Sequence, residues 1–88
     1  MPSYLVETYL PCCGAPDRNA FASRACSAAR ELTRDGTRVR FVGLIHVPAD
    51  ETCFFVFGAP SSADAERAAH IAALDPVRVV EAVTSGEE

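Results

Sequence analysis

Apolar residues in this chain recur in an order that admits few folds. A strand-like run, a helical stretch, two strand-like runs, a second helical stretch and a last strand fill 83 of the 88 residues. That β-α-β-β-α-β order is the split βαβ arrangement of ferredoxin-like α+β domains. It predicts a four-stranded antiparallel sheet with two helices on one face. The other face is left to be covered by a partner or a ligand. One domain over 1–83 and a polar C-terminal tail, Thr84 to Glu88, account for the whole chain.

Each element has its own local signal. Tyr4 to Leu10 mixes β-branched and aromatic residues at nearly alternating polarity and reads as a strand. Pro11-Cys12-Cys13-Gly14-Ala15-Pro16 reads as a loop, and Asp17 as the cap of a helix beginning at Arg18. Phe21, Ala25, Ala28 and Leu32 form one apolar stripe, and Gly36 supplies a left-handed stop. Val39 to Val47 and Cys53 to Phe57 read as a hairpin joined by Pro48-Ala49-Asp50-Glu51. Ser61, with Asp64 three residues on, resembles a capping box. The helix that follows runs to about Ala73 and presents Ala65, Ala68, Ala69 and Ala72, small enough to lie close to a sheet. Asp75-Pro76 ends it, and Arg78 to Val83 is the last strand.

So short a chain buries a modest core, and pairing with a second copy would help it. Apolar residues make up 49% and charged residues 23%, as in ordinary folded domains. All eight basic residues are arginine, which reads as the codon bias of a GC-rich, bacterial genome. Net charge is −4, unevenly spread: residues 1–44 carry six arginines against four acids, residues 45–88 two against eight. Arg18, Arg24, Arg30 and Arg34 point around the first helix in several directions, the pattern of a solvated surface. Nucleic acid needs a concentrated basic face and is not expected as a partner. An acidic chain is also a poor match for an anionic membrane surface. With no signal peptide and no apolar run approaching about 20 residues, the expected compartment is the cytoplasm. Cys12, Cys13, Cys26 and Cys53 are then expected as thiols.

Candidate chemistry is sparse. In this topology the last strand lies antiparallel to the first, and each carries a glutamate among apolar neighbours: Glu7 and Glu81. Both would project from the uncovered face if the register allows. Two adjacent carboxylates there would share a proton or hold a cation; otherwise each points to water. His46 ends a strand, where clefts form, and His70 lies four residues from Glu66 on one helical face; neither has a metal-ligand spacing. The adjacent Cys12 and Cys13 are candidates for redox or soft-metal duty, or incidental thiols. Cys26 and Cys53 read as small core residues. No Ser/His/Asp arrangement, phosphate loop or dinucleotide fingerprint is present.

Tyr4-Leu5-Val6-Glu7, Phe55-Val56-Phe57-Gly58-Ala59-Pro60-Ser61, Arg67-Ala68-Ala69 and Arg78-Val79-Val80-Glu81 resemble a small bacterial nickel-binding ferredoxin-like family. Most of its members have no known function, and they form dimeric α/β barrels by packing two sheets together. The resemblance implies a homodimer, with nickel or another divalent metal as the candidate cofactor. Histidines of the family fall at Gly43 and Ala69 here, and an acidic residue at Gly58. Glu7 and Glu81 are what remains as metal ligands. Small residues where ligands usually stand would leave a pocket lined by Gly43 and His46 with Phe41, Ile45, Phe55 or Phe57, according to strand parity.

Three functions are compatible with these features. The first is a homodimer binding a small molecule, or less favourably a metal, between two sheets. The second is a cofactor-free cyclase, isomerase or oxygenase using Glu81, Glu7 or His46 as acid or base. The third is a structural or assembly subunit without ligand.

Overall fold

The computed structural model describes residues 2–10 and 15–83, with side chains from residue 18 onward in the second stretch. The elements are β1 (Ser3–Tyr9), α1 (Ala15–Arg34), β2 (Arg40–Val47), β3 (Thr52–Gly58), α2 (Ser62–Ile71) and β4 (Arg78–Ala82). A 3-10 turn, Pro48–Asp50, joins β2 to β3. The sheet runs β2-β3-β1-β4 with every neighbouring pair antiparallel. This is the ferredoxin-like α+β fold.

Helix α1 begins at Ala15, so Asp17 is its third residue rather than its cap. Pro16 is accommodated in the first turn, where backbone N–H groups have no partner within the helix. The expected cysteine loop, Pro11 to Gly14, lies outside the described residues, as does the tail from Thr84. At its other end α1 stops as its glycine requires. Gly36 has φ +104°, its amide donates to the Thr33 carbonyl, and the Thr37 amide donates to Leu32 over 2.9 Å. These two bonds are the Schellman closure of a helix. The Thr33 hydroxyl then donates to the Val39 carbonyl (2.8 Å) and accepts from the Val39 amide, fastening the helix end to the entry of β2.

The Ser61 cap of α2 forms as its spacing implies: Oγ accepts from the Asp64 amide and donates to the Asp64 carboxylate at 3.0 Å. The far end of α2 has the same closure as α1 without the glycine. Ala73 sits at φ 58°, its amide donates to His70, and that of Leu74 donates to Ala69. Arg24 of α1 supplies a further cap, donating from Nε to the Ala72 carbonyl at 2.8 Å, with its guanidinium 4.5 Å above the Phe21 ring. A cation there meets the negative end of the helix dipole. An L-residue in the left-handed region is strained by about 1 kcal/mol. Ala73→Gly is therefore expected to raise stability by about 0.5–1 kcal/mol, read as a melting point up by about 4 °C. A lower melting point would contradict this reading of the helix end.

Both helices pack on one face of the sheet. Tyr4, Val6 and Thr8 of β1 and Cys53, Phe55 and Phe57 of β3 are buried beneath Ala25, Ala28, Ala29 and Leu32 of α1 and Ala65, Ala68 and Ala69 of α2. The aromatic weight is carried by the sheet and the small residues by the helices, which lets the helix axes approach it closely. Phe55 anchors the layer: Phe21 meets it edge-on at 6.1 Å and Phe41 lies at 6.4 Å.

Candidate functional site

Strand pairing decides which side chains share the uncovered face. Directly opposed residues in an antiparallel ladder lie on the same side of the sheet. Glu7 of β1 stands opposite Phe54 of β3 and Arg78 of β4; Leu5 stands opposite Val56 and Val80. On β2, Ile45 opposes Phe54 and Gly43 opposes Val56. Leu5, Phe54, Val56 and Val80 are half-buried by one another, while Ile45 is 55% and Tyr9 64% exposed. This side of the sheet is an apolar surface with no helix upon it.

One ion pair lies on that surface. Arg78 Nε donates to Glu7 Oε1 at 2.7 Å across the β1–β4 ladder. Arg78 is largely exposed, so the pair contributes about 0–1 kcal/mol as it stands. It gains strength only where water is excluded.

The two glutamates do not meet. Glu81 is opposite Tyr4, a core residue, and is therefore on the helical side, exposed at the rim of the edge strand. Paired residue numbers across β1 and β4 sum to an odd number, so Glu7 and Glu81, both odd, must occupy opposite faces. The expected shared carboxylate site, as acid–base pair or cation site, is corrected on that ground.

Parity also divides the aromatic candidates. Phe41, Phe55 and Phe57 belong to the core side and line no pocket on the open face; Gly43 and Ile45 are on that face. A methyl group added at Gly43 would meet no atom within 4 Å, so the glycine leaves a shallow depression instead of an enclosed hole. Gly58 opposes Ser3 and lies on the same side. Ala69 is wholly buried against the core and His70 is exposed.

His46 is on the helical side, opposite Cys53. Its Nδ1 lies 2.9 Å from Arg18 Nη1, and Nε2 lies 3.4 Å from the Leu10 carbonyl. A guanidinium only donates, so Nδ1 accepts and the ring hydrogen resides on Nε2, directed at Leu10. Both nitrogens are thereby occupied. Burial pushes the neighbouring Cys53 thiol up from its usual range, against the opposing charge of Arg18. A buried, protonated thiol is a packing residue and a poor nucleophile. Cys26 is half-exposed and unpaired; Cys12 and Cys13 lie outside the described residues.

Among the described residues, no three His, Cys, Asp or Glu side chains converge as a metal site would require. No helix is long and apolar enough to cross a membrane. Comparison of the chain with protein-family models, curated sequences and solved structures finds no match.

Leu5, Phe54, Val56 and Val80, which make up the centre of the open face, were not among the residues singled out in the sequence. β3 is apolar at every position from Cys53 to Phe57, so hydropathy alone does not say which alternate set is buried. The available signal was Glu7 itself, a charged residue that marks the outward set of β1; the β1–β3 ladder then transfers that parity to Phe54.

Proposed function

We propose that the chain is a homodimer that packs its open sheet face against that of a second copy and holds a small, largely apolar molecule between the two sheets. The observation that carries this reading is the helix-free surface formed by Leu5, Ile45, Phe54, Val56 and Val80. Isolated exposed hydrophobic residues are ordinary; a contiguous apolar face marks a surface meant to be covered. Two sheets packed face to face lie about 10 Å apart, enough for interdigitated side chains or for a flat ligand where side chains are small, as at Gly43. Members of the nickel-binding family that the sequence resembles close themselves in this way.

The Glu7–Arg78 pair is the polar feature of the enclosed space and would orient a ligand carrying a hydroxyl, amide or carbonyl group. A metal is a poorer occupant, because Glu7 is already bonded to Arg78 and Glu81 is on the other side. The same facts weigh against a catalytic carboxylate pair. The unpaired thiols Cys26 and Cys53 suit a reducing compartment such as the cytoplasm.

Sedimentation equilibrium checks the dimer, and native mass spectrometry of protein purified from its own host checks the ligand. The expected result is a dimer at micromolar concentration that retains a small molecule and loses it on Arg78→Ala plus Glu7→Ala. A monomer at that concentration removes the site. A dimer without retained mass leaves only the structural assembly role.

A further inference from the structure

The eight arginines fall into two sets. Arg18 is bonded to His46, Arg24 to the carbonyl of Ala72, Arg67 to Asp64 and Arg78 to Glu7. Among the described residues, the side chains of Arg30, Arg34, Arg38 and Arg40 make no hydrogen bond or ion pair, and all four lie where α1 gives way to β2. Glu31 and Asp35, the acids nearest to them in sequence, form no ion pair with them.

Three of these arginines border a cavity, two of them, Arg30 and Arg34, from the helix. The second half of α1 and the head of β2 bound an open groove of about 440 Å³ on the helical side of the sheet, away from the apolar face. Arg30 and Arg34, one helical turn apart, line it together with Ala29, Val39 and Phe41, and Arg40 borders it from β2, its register position opposite Gly58 being that of the open face. Arg34 is in the last turn of α1, where a cation offsets the helix dipole. Arg30 and Arg40 have no such compensation. A groove of this volume with an apolar base and a few charged groups has the form of a small-ligand site.

We propose that this groove binds a small organic oxyanion, its phosphate or carboxylate held by the guanidinium groups and its flat apolar body laid against Phe41 and Val39. Guanidinium forks match both oxyanions in two-point hydrogen bonds. Phe41 is held from beneath by Phe57 at 5.5 Å and offers its other surface as a fixed wall. Apart from Arg40, the site stands on residues separate from the open face, and Arg30 and Arg34 are unaffected by whether the chain dimerises there.

Titration of the full chain with 1-naphthyl phosphate, 1-naphthoate and uncharged 1-naphthol, followed by amide NMR shifts, tests the proposal. Saturable shifts at Cys26, Arg30, Thr33, Val39 and Phe41 are expected with either anion, and the tighter of the two identifies the headgroup. Arg30→Gln plus Arg34→Gln, both exposed and replaced by a good helix former, should weaken anion binding by about tenfold or more. Arg67→Gln should leave it unchanged. Added salt should weaken it too, as charge recognition at an open site requires. Shifts confined to Leu5, Phe54 and Val56, naphthol bound as tightly as the anions, or a double variant that binds like the parent would each overturn it.

Discussion

Phe55→Ala is expected to remove about 3–5 kcal/mol of stability, the cost of deleting a fully buried aromatic and leaving its cavity behind. Phe55 has no exposed surface and meets Phe21 and Phe41 from two elements, so neither side can collapse into the space without moving α1 or β2. A domain of this size holds only about 5–15 kcal/mol in total. Urea denaturation followed by circular dichroism should show the midpoint falling by about 3–5 M, given a slope near 1 kcal/mol per M. A midpoint that moves by less than about 1 M would mean that the ring does not anchor the core as its contacts imply.

The adjacent residue should behave in the opposite sense. Phe54→Asp is expected to leave the chain folded and to separate the proposed dimer. Its side chain is on the open face, opposite Glu7 and Ile45, and in a single subunit a carboxylate there is hydrated. In the proposed dimer the same substitution would bury two carboxylates against an apolar surface, costing several kcal/mol, enough to weaken association by about a hundredfold or more. Sedimentation and a thermal melt on one sample distinguish the outcomes. A folded monomer is the expected result. A variant that remains dimeric places the subunit contact elsewhere, and one that unfolds contradicts the assignment of Phe54 to the outer side.

These neighbours show what pattern reading reaches in this chain and where it stops. The turn and cap residues spoke for themselves. Gly36 requires a backbone that other residues resist, Ser61 bonds three residues along, and Pro76 cannot continue a helix; each is a property of one residue and its immediate neighbours. The helix stripes were equally plain, since Ala25, Ala28 and Leu32 on α1 and Ala65, Ala68 and Ala69 on α2 recur at helical spacing and are buried. The exception was the start of α1. Pro16 reads as loop chemistry, yet the first turn tolerates it, so the helix begins three residues before Arg18, at Ala15.

The candidate site was less legible, because every assignment in it depends on parity. Glu7 and Glu81 each sit in an apolar strand, and nothing in either strand says where one begins opposite the other. The pairing of Ser3 with Ala82 settles it and sends the two carboxylates to different sides. Phe41, Phe55 and Phe57 were set against Ile45 for the same reason, and the ladder sent the aromatics to the core. Likewise no spacing sets Arg30 and Arg34 of α1 beside Val39 and Phe41 in one groove; the turn from α1 into β2 does that.

The linear chain thus dictated the order and kind of its elements, and with them the ferredoxin-like layout, because helix periodicity, capping and turn chemistry act over a few residues. Strand register is set by contacts between residues as far apart as Ser3 and Ala82, and one step of slip would exchange the two faces of a strand. Only the assembled sheet could therefore decide which apolar residues became core, which were left on the open face, and which charges came together.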